Sequence, residues 1–280
     1  MASMTEQQPC RVIVVTSGKG GVGKTTSTAN IGAGLARMGY KVALIDTDIG
    51  LRNLDILMGL ENRIVYNIVD VIEDRCKLNQ ALVKDKRLPN LCLLPAAQTR
   101  DKSALDPKNM KKVVEKLKKD FDFVLIDSPA GIEGGFQNAV AAASEAIVVA
   151  TPEMSSVRDA DRIIGLLETK DHIEHYKLVL NRVRPDMMRS NDMMDVDDVI
   201  EILSVKLLGL IPEDKDIIVS TNRGEPIALW EGPKTPKATL AYQNIAARVA
   251  GEDVPFLDFD IPETFMDKVK GLFKIGSGAA

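Results

Sequence analysis

The segment from Gly18 to Thr26, GKGGVGKTT, has the residue types and spacing needed to bind a phosphate chain. Gly18, Gly23, Lys24 and Thr25 form the G-x4-G-K-T pattern of a P-loop. Glycines let several backbone N–H groups face one anion, and the N-terminus of a following helix adds positive potential. Lys24 would then reach the β- and γ-phosphates, and the Thr25 hydroxyl would bind Mg²⁺. The pattern therefore predicts a site for a nucleoside triphosphate with Mg²⁺.

Carboxylates follow two apolar stretches that read as buried strands. Asp46 and Asp48 end the stretch 40–50, and Asp127 ends the stretch 121–127. Ligands of open α/β sheets bind at the carboxyl ends of the strands, so these acids should lie beside the P-loop. Asp46 and Asp48 could hold Mg²⁺ or position an attacking water, and Asp127 fits the Mg²⁺ shell. The alternative is that they are solubilising acids at strand ends.

Lys19 is a second lysine inside the same loop. A P-loop needs only Lys24 for its phosphates, so Lys19 adds a further positive charge beside them. If its ammonium does not reach the nucleotide of its own chain, it must point to solvent or to another chain. A solvated surface lysine and an intermolecular contact both remain open on the residues alone.

Short apolar strands alternate with helical patterns along residues 11–251. The predicted strands are 11–17, 40–46, 91–97, 121–127, 145–153, 176–183 and 205–212, and the predicted helices are 25–39, 67–74, 107–120, 155–168, 199–204 and 235–251. This alternation predicts one α/β domain with a doubly wound, mostly parallel sheet, preceded by an extension at 1–10. The Met-rich stretch 184–198 reads as a mobile loop or an adaptable binding surface.

Composition limits the class of protein. The chain has 280 residues, 45% of them hydrophobic, and a net charge of −4, so its bulk charge does not favour nucleic-acid binding. Three widely spaced cysteines without a CxxC argue against a disulfide framework and suit a reducing compartment. The N-terminus lacks the apolar core of a signal peptide, and the sequence has no run of 18 apolar residues.

The character of the chain changes after Gly251. Residues 252–262 are acidic, contain two prolines and read as a tether, and 263–276 read as an amphipathic helix that begins a 263–280 tail. Its apolar arc comprises Phe265, Met266, Val269, Leu272 and Phe273; Lys268 and Lys270 flank the arc and Lys274 lies opposite it. Such a helix can bury its apolar face in an anionic membrane surface while the lysines reach the headgroups. The alternative is that it docks on the domain itself.

Several segments resemble the MinD/ParA family of ATPases over roughly residues 11–275. They are the deviant P-loop GKGGVGKTT and the segments 45–55 (IDTDIGLRNLD), 127–133 (DSPAGIE), 181–184 (NRVR) and 211–227 (IPEDKDIIVSTNRGEPI). The resemblance implies a P-loop NTPase fold that binds ATP with Mg²⁺. It implies the ATP-binding residues Gly18, Lys19, Gly20, Gly21, Val22, Gly23, Lys24, Thr25, Thr26, Asn181, Arg182 and Pro212, with Thr25, Asp46, Asp48 and Asp127 at the metal.

The resemblance also implies roles in catalysis and dimerisation. Lys24 would bind phosphate, Asp48 would orient the hydrolytic water, and Lys19 would cross an ATP-sandwich dimer to the partner's phosphates. The switch and dimer residues would be Lys19, Asn53, Asp127, Gly131 and Asp159. The Asn181 amide could pair with the adenine edge, because it is both donor and acceptor; the alternative is a turn asparagine.

The family members that resemble this chain select the cell's division site. That implies an ATP-dependent homodimer on an anionic membrane, a MinC-type inhibitor and a MinE-type stimulator as partners, and no nucleic acid. The expected location is the cytoplasm or the plastid stroma, peripherally bound to the inner face of the membrane.

Three other functions remain open at this point. A ParA-type DNA-partition ATPase shares the loop but needs a basic surface for DNA. A cluster carrier of the nitrogenase-iron-protein type needs cysteines at the dimer interface, which Cys10, Cys76 and Cys92 do not offer. A non-enzymatic ATP sensor would bind ATP without releasing phosphate.

Overall fold

The structure is a computed structural model that describes residues 9–98 and 105–257. Its strands are β1 (Arg11–Thr16), β2 (Val42–Asp46), β3 (Val83–Lys84), β4 (Leu91–Leu94), β5 (Phe123–Asp127), β6 (Glu145–Ala150), β7 (His175–Val183) and β8 (Leu207–Pro212). They form one sheet in the order β3-β4-β2-β5-β1-β6-β7-β8. Only β3 pairs antiparallel, and it lies at an edge. The predicted doubly wound, mostly parallel sheet is confirmed.

Helices cover both faces of the sheet. They are α1 (Lys24–Arg37), α2 (Leu54–Met58), α3 (Ile68–Ile72), α4 (Leu78–Ala81), α5 (Pro107–Leu117), α6 (Gly134–Ala141), α7 (Met154–Glu168), α8 (Pro185–Arg189), α9 (Val196–Leu203), α10 (Lys215–Asn222) and α11 (Lys237–Ala250). One group joins α1, α2, α10 and α11, and others pair α5 with α6 and α7 with α9. Because both faces are covered, β2 and β5 are buried at every position, as their continuous apolar runs predict.

Strand order brings the acidic strand ends together. β5 lies between β1 and β2, and the register places Asp127 beside Val15 on one side and beside Asp46 on the other. The P-loop leaves the carboxyl end of β1 at the same edge of the sheet. Two carboxylates from distant parts of the sequence therefore lie directly under the phosphate-binding loop.

The stretch 184–198, predicted as a mobile loop or an adaptable binding surface, contains a short helix and the start of a second one, with irregular backbone between them. Pro185 occupies the first turn of α8, where its fixed φ suits a helix, and α9 begins at Val196. The side chain of Asp195 caps α9 by accepting a hydrogen bond from the N–H of Asp197 at 3.3 Å. Four methionines of this stretch, together with Met154, line a cavity of about 630 Å³ beside these helices. The flexible side chains of methionine let such a surface adapt to what it contacts.

The first residues of the predicted 252–262 tether lie against the domain. Arg248 donates hydrogen bonds to the carbonyls of Val254 and Pro255, both at 2.8 Å, and its guanidinium lies 4.0 Å from the centre of the Phe256 ring. Residues 258–280, with all the predicted membrane-binding positions, lie outside the described residues, as do 1–8. Within the described ranges, no helix has the length and apolar character needed to span a bilayer.

Candidate functional site: a P-loop above two buried carboxylates

The P-loop forms because Gly23 can adopt a left-handed conformation. Its φ is 94°, and it is the residue immediately before α1, which starts at Lys24. A Cβ at this position would collide with the amide nitrogen of Asn181. The first turn of α1 contains no acidic residue, so the positive end of the helix and its unbonded N–H groups remain directed at an anion site. Thr25 and Thr26 lie half-buried in that first turn.

Lys24 is bonded to the carboxylate of Asp127. The two are separated by 3.0 Å, and their side chains are 8% and 1% exposed. The same Asp127 oxygen accepts a hydrogen bond from the hydroxyl of Thr28 at 3.2 Å. The backbone carbonyl of Asp127 accepts a second hydroxyl, that of Thr47, at 2.6 Å. Asp127 is therefore held from α1 and from the loop that follows β2.

Asp46 lies beside this pair, and no salt bridge to it is formed by the residues that the structure describes. Its carboxylate accepts backbone N–H bonds from Asp48 at 2.9 Å and from Leu54 at 3.3 Å. Burial, and then the charge of Asp127, raise the pKa of Asp46 to about 7. The Lys24 ammonium bonds Asp127, whereas the carboxyl of Asp46 is held by the two backbone N–H groups. The predicted donors Thr25, Asp46, Asp48 and Asp127 offer only oxygen, which is the donor set that Mg²⁺ prefers, so these residues fit the ion.

Stability should depend on pH through Asp46. Between about 3.8, where the unfolded side chain ionises, and about 7, the folded chain holds one proton more than the unfolded chain. In the absence of nucleotide the free energy of unfolding should therefore fall as pH rises through this range, by about 1.4 kcal/mol per pH unit from this group. Urea unfolding at pH 5, 6 and 7 should show a shallower decline in Asp46→Asn. Parallel curves for the two chains would contradict the prediction.

Lys19 takes a position that the sequence does not anticipate. Its ammonium contacts the carboxylate of Glu153 at 3.3 Å and the hydroxyl of Ser155 at 3.1 Å, both at the start of α7. The Lys19 ammonium is therefore bonded to the start of α7, and it points neither into open solvent nor towards Lys24. The two lysines of one loop have separate partners, one buried and one with a side chain 42% exposed.

Asn181 holds the loop from the opposite side. Its amide nitrogen donates to the carbonyl of Val22 at 2.8 Å, and its amide oxygen accepts from the N–H of Arg182 at 2.9 Å. Arg182 has a φ of 57°, a strained value for a non-glycine residue, at the end of β7. Pro212 ends the neighbouring strand and lies beside Val183. Asn181, Arg182 and Pro212, all predicted to bind ATP, thus form one rim beside the loop.

The predicted switch residues surround the P-loop and differ in how buried they are. Gly131 donates its N–H to the carbonyl of Ser17 at 3.1 Å, which ties the loop after β5 to the start of the P-loop. Asn53 is the exposed residue before α2. The backbone of Asp159 packs against Gly18, where a Cβ would not fit. Asp159 therefore contacts the residue next to Lys19, while its own carboxylate faces Arg162 at 3.9 Å.

Sequence reasoning did not find four residues that hold the site. Thr28 and Thr47 bond to Asp127, and Glu153 and Ser155 bond to Lys19. Thr28 offered one signal, because it lies one helical turn after Lys24 on the same face. The hydroxyl of Thr16, buried at the end of β1, lacks a hydrogen-bond partner among the described residues.

Comparison with known proteins agrees with this geometry. Residues 13–227 match the family model described as the CobQ/CobB/MinD/ParA nucleotide binding domain. The chain is 61% identical over 249 residues to the septum site-determining protein MinD of Synechocystis sp., covering 89% of this chain and 92% of that protein.

Two solved structures extend the likeness to the fold. A chain of the MinC:MinD cell division protein complex of Aquifex aeolicus matches with a TM-score of 0.81 and 49% identity, covering 89% of this chain and 99% of that one. The MinD of Pyrococcus horikoshii complexed with Mg-ADP matches with a TM-score of 0.76 and 32% identity, covering 86% and 96%. On these grounds the chain belongs to the MinD family of septum site-determining proteins, within the MinD/ParA group of nucleotide-binding domains.

Proposed function

We propose that this chain is a Mg²⁺-dependent ATPase that works as a membrane-associated dimeric switch in placing the division site. The observation that carries the proposal is that the two P-loop lysines have different partners. Lys24 is buried on Asp127, and Lys19 is exposed on Glu153. One lysine is therefore suited to the chain's own nucleotide, and the other is free to exchange its contact for a partner's.

Binding of ATP uses the loop amides, the N-terminus of α1 and Lys24. Bound Mg²⁺ would supply the positive charge that shields the phosphate oxygens and the two buried carboxylates. Lys24 then exchanges Asp127 for phosphate, while Thr28 keeps its 3.2 Å contact with Asp127. The Asn181 rim holds the loop backbone in place through Val22. The relative from Pyrococcus horikoshii that was solved with Mg-ADP supports this nucleotide and ion.

Hydrolysis uses Asp48 to orient the attacking water. Its backbone is fixed by two bonds, since its carbonyl accepts the N–H groups of Leu51 at 3.3 Å and Arg52 at 3.2 Å. The N–H of Asp48 donates to the carboxylate of Asp46, which is expected at the metal. A movement of Asp46 is therefore transmitted to Asp48, which orients the water. Asp48 therefore belongs to the loop 47–53 that responds to the γ-phosphate.

Dimerisation joins two ATP-bound chains through Lys19. An exposed pair such as Lys19–Glu153 contributes at most about 1 kcal/mol, so a partner's triphosphate competes for the ammonium with little to overcome. The relative from Aquifex aeolicus, solved as a MinC:MinD complex, supports a MinC-type inhibitor as partner. A MinE-type stimulator completes the cycle by accelerating hydrolysis. The net charge of −4 gives no support to a nucleic-acid partner.

The tail converts dimerisation into membrane binding at the inner face of the membrane, in the cytoplasm or the plastid stroma. One short amphipathic helix is a marginal anchor, comparable to a single acyl chain. Two helices on one particle gain roughly 10²–10⁴ in avidity. ATP-dependent pairing would therefore change weak binding into firm binding, and hydrolysis would reverse it.

Co-sedimentation with phosphatidylglycerol-containing vesicles tests the switch. The full chain should pellet with ATP and far less with ADP. A chain that ends after Leu257 keeps the Arg248 contacts to 254 and 255 intact, and it should stay in the supernatant with either nucleotide. The full-length double variant Leu272→Ser, Phe273→Ser is the matched control and should behave like the truncated chain.

Each other outcome changes the proposal. Pelleting that ignores the nucleotide would keep the anchor and remove the switch. A full chain that never pellets would mean that the tail docks on the domain and would remove the membrane from the proposed function.

A further inference from the structure

We infer that Arg87 is a positioning residue that joins the C-terminal ends of α2 and α10. It thereby couples the loop 47–53, on the phosphate side, to the rim of Asn181, Arg182 and Pro212, which we call the base-side rim. Its guanidinium donates to the carbonyl of Met58, the last residue of α2, at 3.1 Å. It also donates to the carbonyl of Gly224, just past α10, at 3.2 Å. We call this pair of bonds the Arg87 bridge. The inference rests on the proposed ATPase function.

The first helix of the bridge begins at the metal-side carboxylate. Leu54, the first residue of α2, donates its N–H to Asp46 at 3.3 Å. α2 has only five residues and continues directly from the loop 47–53 that contains Asp48 and Asn53. Because α2 is short and bonded at Leu54, it moves as a unit. The position of its last residue, Met58, therefore limits where the loop 47–53 can lie.

The second helix begins at the base-side rim. α10 starts at Lys215, three residues after Pro212, and Asp214 caps it by accepting the N–H of Asp216 at 3.0 Å. The same cap accepts the N–H of Ala238 at 3.3 Å, which fixes the start of α10 to α11. The two helices joined by Arg87 therefore lead to opposite ends of the proposed nucleotide.

The backbones of the two helix ends touch at a pair of glycines. Gly59, which caps the end of α2, and Gly224, which follows the Arg223 cap of α10, have φ values of 64° and 65°. A Cβ on Gly59 would lie 2.7 Å from the carbonyl oxygen of Gly224, and a Cβ on Gly224 would lie 2.6 Å from the Cα of Gly59. Only two glycines allow this approach, so neither helix end can move inward without the other.

Arg87 is itself held in place. It bonds to the fully buried carboxylate of Asp85 at 2.9 and 3.3 Å, and Asp85 also accepts the backbone N–H groups of Arg87 and Leu88. Burial alone would raise the pKa of Asp85, but the hydrogen bonds and charge of Arg87 outweigh it and hold the pKa below its usual value. The guanidinium faces the negative ends of two helix dipoles, which it complements. The carboxylate of Glu225 also lies near the guanidinium, at 3.9 Å.

Arg63 provides a matched control. It is an exposed arginine of the same region that donates to one carbonyl, that of Lys84, at 2.9 Å. Arg63→Met removes the same charge and one backbone contact, but it leaves both helix ends joined. Any effect of Arg87→Met that is absent from Arg63→Met therefore belongs to the bridge.

Hydrogen exchange without nucleotide tests the coupling independently of activity. In Arg87→Met the amides of 54–60 and 215–224 should exchange about tenfold faster, and together, because both ends lose a charge-assisted bond. Exchange in α1 and α7 should not change, and Arg63→Met should match the wild type. Faster exchange confined to one of the two helices, or to 85–88, would overturn the inference.

Steady-state kinetics test the consequence for ATP. Arg87→Met should lower kcat for ATP hydrolysis about tenfold and leave KM within about twofold, because the P-loop and Asn181 are untouched. Arg87→Lys keeps the charge but replaces the three guanidinium nitrogens, which reach Asp85, Met58 and Gly224 from separate positions, with a single nitrogen. It should therefore resemble Arg87→Met. A lysine variant with wild-type kcat, or a parallel rise in KM, would overturn the coupling.

A folding defect would not hide the result. Arg87→Met leaves the Asp85 carboxylate buried without its cation, so the double variant Asp85→Asn, Arg87→Gln supplies a chain without that charge and without the bridge. It should show the same paired exchange. If the wild-type chain hydrolyses no ATP, the proposed function fails, while the exchange measurement still decides whether the bridge exists.

Discussion

Lys19→Ala is expected to abolish ATP-dependent dimerisation and stimulated hydrolysis while leaving ATP affinity within about threefold. The ammonium of Lys19 contacts Glu153 and Ser155 rather than the region of Lys24. Binding of the chain's own nucleotide therefore loses little when the side chain is removed. The intermolecular contact loses its only cation from this loop position, and a desolvated charge pair between chains is worth several kcal/mol.

Sedimentation velocity with ATP and Mg²⁺ measures the first part, and phosphate release in the presence of vesicles measures the second. Glu153→Gln is the control, because it removes the 3.3 Å contact and leaves Lys19 present. It should dimerise within about fivefold of the wild type, since an exposed pair contributes at most about 1 kcal/mol. If Lys19→Ala formed dimers at the same ATP concentration as the wild-type chain, Lys19 would not belong to the proposed interface.

The chemistry of the site was accessible from sequence because each part is local. The loop Gly18–Thr26 is one continuous pattern, and Asp46 and Asp127 are each preceded by an apolar run that ends in the acid. What no short pattern encodes is that these acids are neighbours. That depends on β5 pairing with both β1 and β2, which are strands separated by long stretches of chain.

The elements that escaped prediction lack a periodic apolar pattern. α10 has Ile218 and Val219 exposed at 65% and 37%, and Ser220 is its only buried residue, so no apolar stripe indicates a helix. α6 begins with two glycines, which are poor helix formers. β3 has two residues and pairs at an edge. These elements are held by tertiary contacts, and the Arg87 bridge, which depends on α10, was invisible for the same reason.

The partner of Lys19 could not be predicted for a different reason. The start of α7 was expected at Ser155, whereas the structure starts it at Met154 with Glu153 before it. Glu153 is separated from Lys19 by 134 positions, and a surface carboxylate offers no pattern that marks its partner. Sequence reasoning singled out the second lysine of the loop, but the contact that holds it in one chain is a property of the fold.

Lys24→Met is expected to lower ATP affinity by about 10- to 100-fold, since a hydrogen bond to a charged group contributes roughly 1.5–3 kcal/mol. It should also destabilise the folded chain by about 3–5 kcal/mol, because it removes the cation from a buried pair. The Lys24 ammonium lies 3.0 Å from Asp127, whose side chain is 1% exposed, and Asp46 is the adjacent residue on β2. Asp127 would then lack its ammonium while lying next to a second buried carboxyl group.

The double variant Lys24→Met, Asp127→Asn separates these two effects. Removing the Asp127 charge should recover most of the lost free energy of unfolding in urea, because the buried charge that lacked a partner is gone. It should recover none of the ATP affinity in a titration with a fluorescent ATP analogue, because the phosphate still lacks its ammonium. If the double variant regained both, Lys24 would act on the nucleotide only through the stability of the fold. If it regained neither, Asp127 would be needed for more than its charge. Separate recovery would establish that the Lys24 ammonium pairs with Asp127 in the absence of nucleotide and with the phosphates in its presence.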